Sequence, residues 1–173
     1  MAFAEQFVLF DPKQHDVKSF DCGKPEMNLF LSRYADKNRT LGLSSTWILP
    51  ENVLQDEAKK AHIGAYYTLA STTVSREQIP TDKRLPAYPV PVVLLARLGV
   101  NNCFQKQGLG EKTLVSALRQ CVCLTDRGLP ALGVILDVLD NDALGFYQRF
   151  DVFQPFTDEP MRLFVPMNVL RQI

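Results

Sequence analysis

The chain has 173 residues, 46% of them hydrophobic and 22% charged, which is typical of a folded globular protein rather than a disordered one. Its 19 basic and 19 acidic residues cancel, so contact with a polyanion would have to depend on a local basic patch. No apolar run approaches the ~20 residues that span a bilayer, and no cysteine pair has the C-x-x-C spacing of a zinc site. We therefore expect one soluble cytoplasmic domain over residues 1–173, with no metal, no membrane association and free thiols.

The first part of the chain combines strands with one long amphipathic helix. In chain order, the pattern predicts a strand at 5–10, a helix from Pro25 to about Leu41, and strands at 45–50 and 62–74. Apolar residues recur at helical spacing along this helix, at Met27, Phe30, Leu31, Tyr34 and Ala35. Gly42 is the expected helix stop, and residues 51–60 are a charged connection between two strands.

The second part alternates strands and helices. In chain order, the pattern predicts an irregular proline-rich connection at 75–91, a strand at 91–100, a helix from Gly108 to about Arg127, a strand at 130–139, a helix at 141–150 and a strand at 161–167. The strand at 91–100 is almost entirely apolar, which indicates a central strand covered on both faces. Asn141 is expected to cap the last helix. This order predicts an α/β (α+β) fold with a central mixed, twisted sheet of about six to seven strands and helices on both faces.

The segment QKQGLG at 105–110 stands where a predicted strand ends and a helix begins. The first N–H groups of a helix have no intrahelical partner, and the helix dipole adds partial positive charge there. Gly108 and Gly110 would let the backbone approach a phosphate without an intervening side chain. Their spacing fits neither G-x-x-x-x-G-K-[ST] nor G-x-G-x-x-G. Taken alone, the segment indicates either another kind of anion site or a tight strand-to-helix turn.

Two motifs, in this order, resemble the signature of the GNAT superfamily of N-acetyltransferases. The first is [Q/R]-x-x-G-x-[G/A] after an apolar strand, filled by Gln105, Gly108 and Gly110. The second is N-x-x-A-x-x-F-Y, filled by Asn141, Ala143, Phe146 and Tyr147. The resemblance implies the GNAT fold, with acetyl-CoA as cosubstrate.

The same resemblance implies roles for individual residues. The loop amides would hold the pyrophosphate of acetyl-CoA, and the preceding strand would lie along its pantetheine arm. The residues assigned to the cofactor in this way are Leu98, Gly99, Val100, Gln105, Lys106, Gln107, Gly108, Leu109, Gly110, Asn141, Phe146 and Tyr147. Tyr147 would also be the general acid that protonates the departing thiolate. The family's F-Y-x-x-x-G-F continuation is broken by Asp151 and Val152, so the turn after the last helix is expected to differ.

The chain resembles one GNAT branch more specifically, the acetyltransferase toxins of bacterial toxin–antitoxin modules. The matching features are a C-G after an aromatic residue, a G-Y-Y-x-L strand and an R-L-x-V strand, at Phe20, Cys22, Gly23, Gly64, Tyr66, Tyr67, Leu69, Arg97, Leu98 and Val100. The resemblance covers nearly the whole chain. It implies acetylation of the α-amino group of aminoacyl-tRNA, inhibition of translation, a ribbon–helix–helix antitoxin as partner and, in many members, a homodimer.

The chemistry of such a reaction suits the residues available. An α-amino group has a pKa near ~8, and esterification of the carboxyl group lowers it further, so much of the substrate amine is already neutral. A strong general base is then unnecessary, in keeping with only two histidines, His15 and His62, and no obvious carboxylate pair. We expect catalysis from positioning of the amine, from backbone donors to the thioester carbonyl, and from Tyr147, whose ordinary pKa near ~10 suits it to protonate a thiolate.

Basic residues are the candidates for binding tRNA phosphates. Arg33 and Lys37 lie on the predicted first helix, and Arg97 borders the predicted cofactor loop. Two alternatives stay open: an acetyltransferase of a small amine such as an antibiotic, polyamine or amino acid, and a non-catalytic module that binds acetyl-CoA or a partner. A small amine would favour an acidic acceptor pocket, whereas the proline-rich connection is basic, and the intact Tyr147 motif argues against a non-catalytic module.

Overall fold

The structure is a computed structural model that describes residues 3–52, 59–105 and 107–173. Its strands are β1 (Val8–Leu9), β2 (His15–Asp16), β3 (Ser45–Pro50), β4 (Ala61–Val74), β5 (Val90–Val100), β6 (Gly133–Asp137), β7 (Gln154–Pro155) and β8 (Arg162–Pro166). Its α-helices are α1 (Pro25–Leu29), α2 (Ala35–Leu41), α3 (Leu109–Asp126), α4 (Asn141–Gln148) and α5 (Met167–Leu170). A π-helical segment (Phe30–Tyr34) joins α1 to α2, and 3₁₀ turns cover Arg76–Gln78 and Asn102–Phe104.

The chain divides into two compact units. The first unit comprises Met1–Ala70 and Arg97–Ala117, and the second comprises Ser71–Ala96 and Leu118–Ile173. Strands β4 and β5 and helix α3 each contribute residues to both units.

In the first unit the strand order is β1–β3–β4–β5, with β2 added as a short parallel pairing at the start of β4. β3 runs antiparallel to β1 and β4, and Trp47 pairs with Leu9 on one side and Tyr67 on the other. The Trp47 and Tyr67 rings stack with their centroids 5.3 Å apart. The hydrophobic core of this unit is formed by Phe10, Phe20, Cys22, Met27, Phe30, Leu31, Ala35, Ile48, Ile63 and Tyr66.

The helical run from Pro25 to Leu41 begins and ends as the sequence predicts, but its hydrogen bonding changes in the middle. Pro25 is tolerated in the first turn because the N–H that it lacks would have no helical partner there. Gly42 ends α2 with a left-handed φ of 78°. Between them, the N–H of Ala35 donates to the carbonyl of Phe30, five residues back, which is a π-helical bond. The wider turn moves Tyr34 off the predicted apolar stripe, and Tyr34 is 46% exposed.

In the second unit the strand order is β4–β5–β6–β8–β7. β5 and β6 are parallel, with Val93 opposite Val134, while β8 runs antiparallel to both β6 and β7. Gly133, at the start of β6, is required by close packing, because a Cβ there would collide with the Val165 carbonyl and the Phe164 ring. The core of this unit is formed by Val74, Ile79, Val90, Val92, Ile135, Phe156 and Phe164.

The predicted α/β fold with a mixed sheet flanked by helices is confirmed. The described part of the chain has eight strands rather than six or seven, because β2 and β7 are two-residue pairings without an apolar pattern of their own. The first strand is shorter than predicted, since only Val8–Leu9 form the β1 pairing with β3. Residues 53–58 of the predicted charged connection lie outside the described residues. Within the described ranges, no helix is long and apolar enough to cross a membrane.

Candidate active site

In the first unit, β5 ends in the stretch that the resemblance assigns to the pantetheine arm. Leu98 and Val100 are half-buried, and Gly99 is buried. A Cβ at Gly99 would lie 3.3 Å from the ring of Tyr66 and 3.6 Å from the side chain of Cys22. Glycine therefore allows β5 to lie closely against the buried Tyr66 ring.

Directly before α3, the chain has a glycine with left-handed backbone. Gly108 has a φ of 80°, and an added Cβ would meet nothing within 4 Å, so backbone conformation rather than packing favours glycine there. The Gly108 carbonyl accepts the first helical bond, from the N–H of Lys112 at 3.1 Å. The preceding amides, at 109–111, are at the positively polarised end of an 18-residue helix and have no intrahelical partner. Among the described residues these amides have no other partner either, so they are suited to bind an anion such as a pyrophosphate.

The other loop residues assigned to the cofactor differ in exposure. Gln107 and Gly108 are exposed, and Leu109 and Gly110 are half-buried. Lys106, also predicted to bind the cofactor, lies outside the described residues. Because Gly108 has no side chain, its backbone is thus accessible from solvent.

The side chain of Gln105 ties this loop to the rest of the first unit. Its Nε2 donates to the carbonyl oxygens of Cys22 at 3.2 Å and of Val100 at 3.1 Å. Cys22 is itself held, because its N–H donates to Asn28 Oδ1 and the Asn28 amide donates to Asp21. The motif pattern assigned Gln105 to the cofactor and gave no sign of this tether.

In the second unit, α4 is capped one residue earlier than predicted. Asp140, not Asn141, is the N-cap: it has extended backbone and its Oδ1 accepts from the N–H of Ala143 at 2.9 Å. Both residues are of a type that caps helices, so the sequence alone could not separate them. Asn141 is therefore the first helical residue, and it is exposed.

Tyr147 lies in α4 inside an aromatic cluster. It is 8% exposed, and its ring centroid is 5.2 Å from that of Phe146 and 6.0 Å from that of Phe153. Its hydroxyl forms no hydrogen bond with the described residues. Burial raises the pKa of Tyr147 above that of an ordinary phenol. The hydroxyl is therefore protonated at neutral pH and free to donate.

The three basic residues predicted to bind tRNA all belong to the first unit. Arg33 and Lys37 are exposed and form no ion pair with any described residue. Arg97 is half-buried, with its Cζ 4.3 Å from the centroid of the Phe30 ring and its Nη1 3.9 Å from Met27 Sδ. Arg97 is thereby joined to the helical run that carries Arg33 and Lys37.

The two histidines take part in local hydrogen bonds. His15 is buried, its Nδ1 accepts from the N–H of Asp11 at 3.0 Å, and burial lowers its pKa. His62 Nδ1 lies 2.8 Å from Ser19 Oγ and 3.5 Å from Asp16 Oδ2. Across the described residues, no group of three or more His, Cys, Asp or Glu side chains is placed to hold a metal ion.

Two curated relatives match nearly the full chain, although no protein-family model matches it. The chain is 31% identical over 160 residues to the "tRNA-acetylating toxin" of Mycobacterium tuberculosis (strain ATCC 25618 / H37Rv), which covers 91% of this chain and 90% of the relative. It is 24% identical over 173 residues to the "Probable toxin TacT" of Sinorhizobium fredii (strain NBRC 101917 / NGR234), covering 94% and 91%.

Solved structures share the fold over almost their whole length. A tyrosine-to-phenylalanine mutant of KacT matches with a TM-score of 0.84 at 24% identity, covering 97% of this chain and 99% of that chain. AtaT complexed with acetyl-methionyl-tRNAfMet matches with a TM-score of 0.84 at 23% identity, covering 96% and 97%. An AtaT mutant bound to the C-terminus of the antitoxin AtaR and to acetyl-CoA matches with a TM-score of 0.79 at 21% identity, covering 96% of each chain. With the shared fold and a relative 31% identical over most of both chains, the protein belongs to the family of tRNA-acetylating toxins, a branch of the GNAT acetyltransferases.

Proposed function

We propose that the protein uses acetyl-CoA to acetylate the α-amino group of aminoacyl-tRNA and thereby inhibits translation. The observation that carries this proposal is the 31% identity over 160 residues to a tRNA-acetylating toxin. The left-handed Gly108 followed by the accessible start of α3 supports it, because this backbone suits the pyrophosphate of acetyl-CoA. Structures of AtaT with acetyl-methionyl-tRNAfMet and with acetyl-CoA support the same pair of substrates.

The residues of this chain would divide the reaction between binding and proton transfer. The amides at 109–111 bind the pyrophosphate, and Leu98–Val100 bind the pantetheine arm, with Gln107 at the loop and Asn141 and Phe146 on α4 completing the cofactor contacts. The neutral α-amino group attacks the thioester carbonyl carbon, the C–S bond breaks, and the amine loses a proton to solvent. Tyr147 donates its proton to the departing sulfur, because burial keeps the phenol protonated, and it is then reprotonated from solvent.

The role of Tyr147 is tested with the matched pair Tyr147→Phe and Tyr88→Phe. Tyr88 is 65% exposed, so its variant controls for the loss of a phenol hydroxyl elsewhere in the same unit. We expect Tyr147→Phe to fold normally and to lose about 10²–10⁴-fold in kcat, the usual contribution of a general acid. Purified protein is given acetyl-CoA and aminoacyl-tRNA, and the acetylated aminoacyl group is detected by mass spectrometry. Turnover equal to wild type in Tyr147→Phe rules out the acid role, and acetylation of small amines but not of aminoacyl-tRNA rules out the proposed substrate.

The proposed tRNA contacts are Arg33, Lys37 and Arg97, the first two of which are exposed and unpaired among the described residues. Arg39 lies on the same helical run but is paired with Asp36 at 3.0 Å, so it provides a matched control. Reversing the charge of Arg33 and Lys37 together should raise the KM for aminoacyl-tRNA about tenfold or more and reduce the salt slope of binding by about one to two. Arg39→Ala should change neither value. If the charge-reversal variant and Arg39→Ala gave the same KM for aminoacyl-tRNA and the same salt slope, Arg33 and Lys37 would not be tRNA contacts.

We also propose that residues 1–173 act as one domain in the cytoplasm, as a homodimer neutralised by a ribbon–helix–helix antitoxin. The AtaT structure bound to the C-terminus of the antitoxin AtaR supports an antitoxin partner. Light scattering on the purified protein measures the oligomeric state. The antitoxin partner is tested by co-expression with the neighbouring small gene, followed by affinity capture. Growth arrest that the neighbouring gene does not relieve would contradict the proposed partner.

A further inference from the structure

The buried hydroxyl of Tyr66 contacts the first helical run just before its π-helical segment. Tyr66 is fully buried, and its hydroxyl donates to the carbonyl oxygen of Met27 at 2.8 Å. A buried hydroxyl without a partner is costly, so this bond favours one placement of the helix relative to the strand that carries Tyr66. Burial also raises the pKa of Tyr66, so the hydroxyl remains a donor at physiological pH.

The ring of the same tyrosine lies against the strand assigned to acetyl-CoA. A Cβ added at Gly99 would be 3.3 Å from the Tyr66 ring, and the Phe20 ring packs edge-on against it with centroids 5.4 Å apart. Tyr66 therefore has Gly99 of β5 beside its ring and Met27 of α1 at its hydroxyl. All of these residues belong to the first unit.

A second contact, from Arg97 of β5, reaches the same part of the helix. Arg97 Cζ lies 4.3 Å from the centroid of the Phe30 ring, and Arg97 Nη1 lies 3.9 Å from Met27 Sδ. Phe30 is the first residue of the π-helical segment, and Arg33 is an exposed residue within it. π-Helical turns are rare and occur frequently at functional sites. Here the turn is bordered by tertiary contacts at Met27 and Phe30, both made from the strands beside it.

We propose that Tyr66 is a positioning residue for the acceptor substrate. Through its bond to Met27, it holds the π-helical segment at a fixed place relative to β5, so that Arg33 meets the RNA while the thioester is held at the strand. The identity of the acceptor rests on the proposed function. Tyr66 itself touches neither substrate; it acts through the helix.

The test compares Tyr66→Phe with Tyr67→Phe in the full chain. Tyr66→Phe keeps the ring and removes the hydroxyl, whereas Tyr67, the next residue along β4, has its ring against those of Trp47 and Phe7. For Tyr66→Phe we expect the KM for aminoacyl-tRNA to rise about three- to tenfold, the range of one net hydrogen bond, with kcat and the KM for acetyl-CoA within about twofold of wild type. Tyr67→Phe should leave the KM for aminoacyl-tRNA within about twofold. The Arg33→Ala and Tyr66→Phe effects should be non-additive, since one residue acts through the segment that carries the other.

Hydrogen exchange gives a readout that does not depend on the acceptor. In Tyr66→Phe, the amides of Phe30–Tyr34 should exchange faster, while those of α4 keep their wild-type rates. If wild-type protein does not acetylate aminoacyl-tRNA, the proposed function fails, and the exchange rates still decide whether Tyr66 holds the segment. Unchanged exchange in Phe30–Tyr34 overturns the inference. So does an equal rise in both KM values with a lowered unfolding temperature, which would indicate general destabilisation.

Discussion

Replacing Gly108 by alanine tests the left-handed turn in front of α3. The φ of Gly108 is 80°, and an added Cβ would meet nothing within 4 Å, so the substitution introduces backbone strain without a collision. Holding an L-residue in this conformation costs about 1–2 kcal/mol. At ~1.4 kcal/mol for each factor of ten, this strain corresponds to a loss of about 5- to 30-fold in a binding constant.

The strain in Gly108→Ala should weaken the binding of acetyl-CoA and leave the global stability of the protein unchanged. Gly108 is exposed, and an added Cβ there would meet nothing within 4 Å. The free loop of the alanine variant is therefore able to relax at the cost of one bond, the first helical bond from Lys112 N–H to the Gly108 carbonyl. Acetyl-CoA would then have to restore the strained turn on binding. We expect Gly108→Ala to raise the Kd of acetyl-CoA, measured by calorimetric titration, by about 5- to 30-fold while the urea midpoint of unfolding stays close to wild type.

Gly42→Ala is the matched control, since Gly42 has a φ of 78° and also meets nothing within 4 Å. Its turn is held by two backbone bonds, from Gly42 N–H to Arg39 and from Leu43 N–H to Asn38, so it cannot relax without losing them. Here the same strain should lower the free energy of unfolding by about 1–2 kcal/mol and leave acetyl-CoA affinity unchanged. If Gly108→Ala and Gly42→Ala change the Kd of acetyl-CoA equally, the reasoning about the loop is refuted.

Three further predictions follow from single contacts. Because burial raises the Tyr147 pKa, the stability that the buried phenol contributes is complete below the ordinary phenol pKa of ~10 and is lost as pH rises beyond it. In urea unfolding above that pH, the free energy of unfolding should therefore fall more steeply with pH in wild type than in Tyr147→Phe. Parallel pH curves for the two proteins would contradict this. Gly133→Ala places a Cβ against the Val165 carbonyl and should lower the free energy of unfolding by about 1–3 kcal/mol. Its control is Gly145→Ala, on an open helix position, which should be neutral or stabilising in thermal unfolding. Similar unfolding midpoints for the two variants would show that β6 shifts freely to accept the added methyl group. Gln105→Ala removes donors to two carbonyls and should raise the KM for acetyl-CoA about threefold or more. Gln105→Glu should fail to restore it in steady-state kinetics because a carboxylate cannot donate, and a full restoration would argue against the tether.

Local signals in the sequence were sufficient for the ends of the first helical run but not for its interior. Pro25 and Gly42 mark its start and stop through backbone preferences that depend on neighbouring residues alone. The π-helical turn between them adjoins contacts from Tyr66 and Arg97, which are distant in the sequence. The helical periodicity therefore placed Tyr34 in the buried stripe, whereas the structure exposes it.

At the candidate site, too, local patterns predicted the backbone, whereas contacts between distant parts of the chain could not be predicted. The glycine pattern predicted a strand, a turn and a helix start, and the structure has them, with Gly108 in the left-handed region. The contact of Gln105 with Cys22 joins two stretches far apart in the chain, so no pattern near residue 105 could have revealed it. The cap of α4 was displaced by one residue because Asp140 and Asn141 have nearly the same local preference, and only the backbone conformation separates them.

The outermost strands of the two units have a consequence for how this protein meets other chains. β1 and β7 are two residues long, and β7 ends in Pro155, which has no N–H to donate. In β3, the strand next to β1, the carbonyls of Thr46 and Pro50 accept hydrogen bonds from the N–H groups of Phe10 and Ala4. Edge strands as short as these, one of them ending in a proline, offer few positions for pairing, which disfavours extension of the sheet by another polypeptide. These two edges are thereby guarded against edge-to-edge aggregation.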